Sequence, residues 1–232
     1  LDYNKPNDAI NNFKEAIKKE NFYTYYYNWG VALENQNLPE EAIEKYKEAL
    51  RLNPEYQKAY TNWGRIISKL PRGEQEIQLD EFLNQINSLD NNWKYLEKGV
   101  CFYSLKRSSA MEEALTFAIE VDPQNPEPFY YLGQGFLNQD RYEEALNNFE
   151  GGHKIYQSSN LNIAPIEYVY SIHDAAYTLS FLGNYQKAKN KWNQAIQAYE
   201  KYKGQAILSD NNTYFINYAS VLHLIFKAYK DA

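Results

Sequence analysis

Cysteine occurs once in the 232 residues, at Cys101, so the chain can form neither an internal disulfide nor a multi-cysteine metal site. Histidine is nearly as scarce, with only His153, His173 and His223. His173 has just Asp174 beside it in sequence, too little for a ligand set, so these residues are expected to be ordinary polar side chains and no metal is expected. No run approaches the roughly 18 consecutive apolar residues of a membrane span, and the mean hydropathy of -0.72 agrees. A basic excess is also missing. Lys and Arg number 24 against 30 Asp and Glu, a net charge of -6, which is the wrong sign for a phosphate-neutralising surface and argues against nucleic acid as the partner. The opening residues, Leu1-Asp2-Tyr3-Asn4-Lys5-Pro6, show no initiator Met and no basic-then-apolar leader. Rare cysteine fits a reducing compartment, and a cytoplasmic location is the expectation.

Catalytic patterns are absent as well. The chain has no phosphate loop, no His-Glu-x-x-His and no Gly-x-Ser-x-Gly elbow. Gly133-Gln134-Gly135 imitates a dinucleotide fingerprint but lies inside a helical pattern rather than after a strand. The acidic pairs Glu40-Glu41, Glu112-Glu113 and Glu143-Glu144 precede apolar helical runs, where carboxylates favour a helix N-terminus. Cys101 reads as a small buried hydrophobe rather than a nucleophile. The expectation is a non-enzymatic protein without a cofactor.

What is present is a folding composition, 44% hydrophobic and 16% aromatic, arranged with a period. Tyr26-x2-Trp29-Gly30-x2-Leu33, Tyr60-x2-Trp63-Gly64-x2-Ile67 and Phe129-x2-Leu132-Gly133-x2-Phe136 share one internal spacing. Offsets of 3, 4 and 7 place these residues on one helix face, with a glycine where another helix can approach closely. Gly30, Gly64, Gly99 and Gly133 are separated by 34, 35 and 34 residues. Twelve residues past Gly30 begins Ala42-x3-Tyr46-x2-Ala49, and twelve past Gly133 begins Ala145-x3-Phe149-x2-Gly152, which are second helices. Ala188-x3-Trp192-x2-Ala195 repeats the pattern in a longer unit. No alternating run suggests a strand.

This pattern resembles the tetratricopeptide repeat family, whose unit carries tryptophan, leucine-glycine, tyrosine, alanine, phenylalanine and proline in that order. The resemblance implies an all-α fold, an α-solenoid of helix pairs forming a right-handed superhelix. Residues 23–56, 57–90, 91–125 and 126–160 are the expected repeats, 165–203 a longer one and 212–230 a terminal helix. Residues 1–21 match a second helix with no first helix before it, which suggests a fragment of a longer solenoid. Two departures stand out: the expected alanine of one second helix is Glu76, making Glu74–Leu89 a degenerate helix, and that of the next is Met111, suggesting a short or shifted helix.

In the resembling family the first helices line a concave groove that binds partner peptides. Carried over by position, the groove residues are Tyr27, Asn28, Lys58, Asn62, Arg65, Lys69, Trp93, Tyr103, Tyr130, Gln134, Tyr170 and Tyr177. They combine aromatic anchors, amides and one cationic patch, which suits a peptide with an acidic group and apolar side chains. Of the family's clamp for chaperone C-termini only Asn62 matches, so that ligand is not expected. The aromatic residues would serve equally well as packing between neighbouring first helices, and Lys58, Arg65 and Lys69 as a solvated face. The leading expectation is a scaffold or adaptor holding a partner segment in the groove, and the alternative is self-assembly through incomplete terminal repeats.

Overall fold

The computed structural model describes residue 12 and residues 22–158 and 166–206. The expected helices at 1–21 and 212–230, apart from these, lie outside the described residues. Among the described residues, ten α-helices follow one another: α1 (Tyr23–Asn35), α2 (Pro39–Leu52), α3 (Gln57–Ile66), α4 (Arg72–Asn87), α5 (Lys94–Ser104), α6 (Ser108–Val121), α7 (Glu127–Leu137), α8 (Tyr142–Ser158), α9 (Ile166–Phe181) and α10 (Tyr185–Ala206). A 3-10 turn, Ile67–Lys69, extends α3. There is no strand among the described residues, and the fold is all-α, an array of helix pairs.

Local chemistry explains the elements. In α2, Pro39 occupies the first turn, Glu40 and Glu41 meet the positive helix end and Arg51 the negative end, each placement favourable to the macrodipole. Its buried face is Ala42, Ile43, Tyr46, Ala49 and Leu50, the helical spacing of an amphipathic element. Asn53-Pro54 then stops it, since proline has no amide hydrogen to extend the ladder.

The turn inside each pair is built one way in four places. Asn37, Lys106, Asp140 and Gly183 have φ of 59°, 58°, 58° and 74°. Behind each, the next amide reaches back across six residues: Leu38 N to Leu33 O at 3.1 Å, Arg107 to Phe102 at 2.9 Å, Arg141 to Phe136 at 3.0 Å and Asn184 to Leu179 at 2.9 Å. This left-handed C-terminal cap satisfies the last carbonyls and turns the chain back on itself. Between α3 and α4 the 3-10 turn and Pro71 do the same work.

The chain divides into two compact units between Ala114 and Leu115. In the first, α1 packs on α2, α2 on α3, and α3 on α4 and α5. Its core holds Tyr60, Trp63 and Phe82, all fully buried, with Trp63 perpendicular to Phe82 at 5.4 Å. Each such ring contributes about 2 kcal/mol by leaving water. In the second unit α7 packs on α8, α8 on α9 and α9 on α10.

Glycine is where two helices meet, as the pattern implies. A Cβ on Gly30 would lie 2.5 Å from the Tyr46 ring, and one on Gly133 the same 2.5 Å from Phe149. A Cβ on Gly64 would lie 3.0 Å from Cys101 Cβ and 3.1 Å from Phe82.

Both departures fold as regular helices. The degenerate segment is a full helix, α4, anchored by buried Leu79, Phe82 and Ile86, while Ile77 faces solvent at 65% exposure. The expected short or shifted helix is α6, a regular helix of 14 residues. Met111 simply takes the small-residue position and is buried with Leu115 and Ala118, because a flexible thioether fills the gap alanine would leave.

Candidate functional site

The first-helix positions carried over from the repeat pattern fall into two groups in the first unit. Asn28 of α1, Lys58 and Arg65 of α3, and Lys69 of the 3-10 turn are exposed. Lys58 and Arg65 are two helical turns apart, so they share a face. Tyr27, Asn62, Trp93 and Tyr103 are half-buried. Tyr27 accepts a hydrogen bond from Asn62 Nδ2 at 3.2 Å and meets Tyr56 edge-on at 5.2 Å, and burial holds its hydroxyl above the ordinary tyrosine range. Trp93 lies against Tyr60 with centroids 5.6 Å apart. These two rings are engaged in packing.

A residue outside the expected site set organises the cationic patch. Glu34, near the C-terminus of α1, presents Oε1 to Arg65 Nη2 at 3.0 Å and to Lys69 Nζ at 3.1 Å. Its Oε2 accepts from the Tyr46 hydroxyl at 3.0 Å. Tyr46 stays protonated because burial, and then the adjacent carboxylate, push its pKa far up. Glu34 is not among the groove residues carried over from the repeat pattern. The available signal is opposite charge at offsets of 31 and 35 residues, about one repeat.

In the second unit the half-buried members are again tied into the fold. Gln134 of α7 donates to Asp174 Oδ2 of α9, and Asp174 Oδ1 lies 2.9 Å from His173 Nδ1. Tyr130 packs beside Phe149 at 6.3 Å, and Tyr170 packs against the core formed by Ala176, Leu179, Ala188 and Trp192. Tyr177 differs, being 40% exposed. Its ring meets Phe181, 50% exposed, perpendicularly at 4.8 Å. Phe181 in turn lies parallel to Tyr142 at 4.9 Å, with 2° between the planes, and Tyr142 donates to Asp140 at 2.7 Å. The Tyr142 contribution comes from a second helix, which is why a first-helix template does not anticipate it.

The chemistry of the described residues is that of a surface. No group of three His, Cys, Asp or Glu that could hold a metal occurs among them. No helix among them is long and apolar enough to cross a membrane. Cys101 is fully buried, and burial pushes its thiol up to about 12, which leaves essentially no thiolate at neutral pH.

Comparison with known proteins agrees with this architecture. Residues 23–56, α1 and α2 with their following turn, match the tetratricopeptide repeat family model. Over 199 residues the chain is 23% identical to tetratricopeptide repeat protein 37 of Xenopus laevis, covering 84% of this chain and 12% of that protein. The chain thus spans about an eighth of that relative's length. Among solved structures it is similar to PilW, a type IV pilus biogenesis factor, with a TM-score of 0.56, 19% identity, and coverage of 85% of this chain and 88% of that one. It is also similar to a chain of the APC/C hetero-tetramer Cut9–Hcn1, with a TM-score of 0.56, 14% identity, and coverage of 97% and 40%. Residues 23–56 thus match a tetratricopeptide repeat, and the helix pairs that follow, closed by matching turns and with close-approach glycines at Gly30, Gly64 and Gly133, resemble that repeat.

Proposed function

We propose that this chain is a non-enzymatic adaptor whose first helices receive a peptide segment of a partner protein bearing an acidic group and apolar side chains. One observation carries the reading. Part of the set of positions that the family geometry turns inward stays exposed in each unit, as Lys58, Arg65 and Lys69 in the first and Tyr177 with Phe181 in the second. Adjacent exposed rings are an unusual placement of apolar area on a merely solvated face. They are the side-chain type that dominates binding energy at protein interfaces. The cations supply the complementary charge that steers an acidic segment and fixes its register.

Each unit supports the reading separately. In the first, a partner carboxylate would meet Arg65 and Lys69, with Lys58 two turns away on the same helix face. In the second, an apolar or aromatic partner side chain would lie against Tyr177 and Phe181. The half-buried members Tyr27, Trp93, Tyr130 and Tyr170 act from behind, by holding the first helices in place.

The test is capture of partners from cell lysate on the immobilised protein, beside a variant carrying Lys58→Glu, Arg65→Glu and Tyr177→Ala with matched helical content. A partner held by the parent and lost by the variant supports the reading. Equal capture by both refutes it. Sedimentation across a hundredfold concentration range tests the self-assembly alternative, which requires a mass that grows with concentration.

A further inference from the structure

The carboxylate of Glu34 sits where an acidic partner would have to bind. It is 11% exposed, whereas the Arg65 and Lys69 side chains that hold it are 52% and 46% exposed. Both of its oxygens are engaged, one by the two cations and the other by the Tyr46 hydroxyl. Asn62 braces the arrangement by donating to Tyr27 and Tyr46 at 3.2 Å and 3.4 Å and accepting from Arg65 at 3.4 Å. The helix does not favour Glu34 in this place, because α1 has no basic residue in its last turn and a carboxylate there faces the negative end of the dipole. Its attraction is to the neighbouring repeat.

We propose that Glu34 is an internal competitor that sets which acids this face accepts. A single incoming carboxylate would exchange like for like at Arg65 and Lys69 while stranding Glu34 beside a buried hydroxyl, so it gains nothing. A segment with several adjacent carboxylates adds a Coulombic surplus and displaces Glu34. The inference rests on the acidic-partner reading above and narrows it to polyacidic segments.

The experiment uses two fluorescein-labelled peptides with blocked termini, alternating Leu and Tyr around either one Glu or three consecutive Glu, read by anisotropy at low ionic strength. The wild type is expected to bind the three-Glu peptide and to bind the one-Glu peptide at least about fivefold more weakly, the fold-change two exposed ion pairs support. Glu34→Gln should bring the one-Glu peptide up by about fivefold, and Arg65→Gln in that background should remove the gain. Tyr46→Phe, which loosens Glu34 without removing it, should move the one-Glu peptide in the same direction by less. Melting temperatures in sulfate against chloride at matched ionic strength form a second arm, in which Glu34→Gln gains a sulfate response that the wild type lacks. If wild type and Glu34→Gln bind the one-Glu peptide equally, and both lose it with Arg65→Gln, the competitor role is overturned and the acidic-partner reading stands. If no peptide binds any variant, the acidic-partner reading falls. In that event the sulfate arm decides: a response confined to Glu34→Gln supports the competitor, and its absence overturns it.

Discussion

Gly133→Ala should destabilise the protein although alanine is the better helix former. An Ala Cβ at this position would lie 2.5, 2.6 and 2.9 Å from three ring atoms of Phe149. Carbon atoms in contact prefer about 3.5–4.0 Å, so the ring has to retreat by roughly 1 Å. Phe149 is fully buried and cannot swing into solvent, and overpacking of this kind costs about 1–3 kcal/mol. Against it stands the roughly 1 kcal/mol that alanine gains over glycine in a helix. The expected net effect is a loss of up to about 2 kcal/mol, or up to roughly 8 °C in melting temperature for a chain of this size. Gly73 is the control, because a Cβ there meets nothing within 4 Å. Gly73→Ala should be neutral or stabilising by up to about 0.5–1 kcal/mol. Urea unfolding of both variants, followed by circular dichroism, gives the comparison. Adding Phe149→Leu to Gly133→Ala should cost less than Phe149→Leu alone, since the smaller side chain relieves the clash. A Gly133→Ala protein as stable as Gly73→Ala would refute the argument that close helix approach dictates this glycine.

Lys106 holds φ of 58° at a turn where Asn37, Asp140 and Gly183 occupy the equivalent places. Lys106→Gly should therefore stabilise by about 1 kcal/mol, the left-handed penalty for a side chain without a local hydrogen bond, seen as a raised urea midpoint. Cys101 should resist iodoacetamide in the native protein at neutral pH and react only as urea unfolds the first unit, because its thiol is buried and its pKa is pushed up to about 12. Fast native labelling would contradict that burial. His153 is 8% exposed and stacks on Tyr168 at 5.3 Å. Burial, and then Lys191, push its pKa down to about 4 from an ordinary value of 6.5. Above pH 6.5 it is neutral folded or unfolded and adds no pH dependence. Between 6.5 and 4 the unfolded chain binds a proton that the folded chain refuses, so stability falls with pH and levels off below 4. Screening reduces the full linkage to about 1–2 kcal/mol. A His153→Gln variant should lose correspondingly less melting temperature between pH 7 and pH 4.5, and equal slopes would refute the assignment.

The repeat and its helix pairs are legible because they rest on short-range rules. Apolar spacing, a small residue at the crossing and a proline after the second helix are all properties of one unit read alone. Glu76 and Met111 mislead for the same reason. A template that demands alanine cannot see that Phe82, six residues later, fills the place beside Gly64, or that methionine adapts to the gap. The exposure of Lys58, Arg65 and Lys69 follows from position alone. The engagement of Arg65 and Lys69 by Glu34, and the pairing of Gln134 with Asp174, do not follow from position because they join different units of the pattern.

Those joins nevertheless obey a rule of their own. Glu34 meets Arg65 and Lys69 at offsets of 31 and 35, Asn62 meets Tyr27 at 35, and Lys47 meets Glu81 at 34 with 2.6 Å between charges. Gln57 to Glu97 and Gln134 to Asp174 are both offset by 40. In a stack where each repeat touches only its neighbours, a long-range polar contact has few separations open to it besides about one period. A residue on one unit therefore has its polar partner within a window of a few residues in the next. The side chains that tie repeats together can be found by asking which opposite charges or amides recur one period apart, rather than which residues match a consensus. By that criterion Glu34 is the informative residue of the first unit. It is a carboxylate at the unfavourable end of its helix, with two cations one period away, so its placement is explained by the neighbouring repeat and not by the helix that carries it.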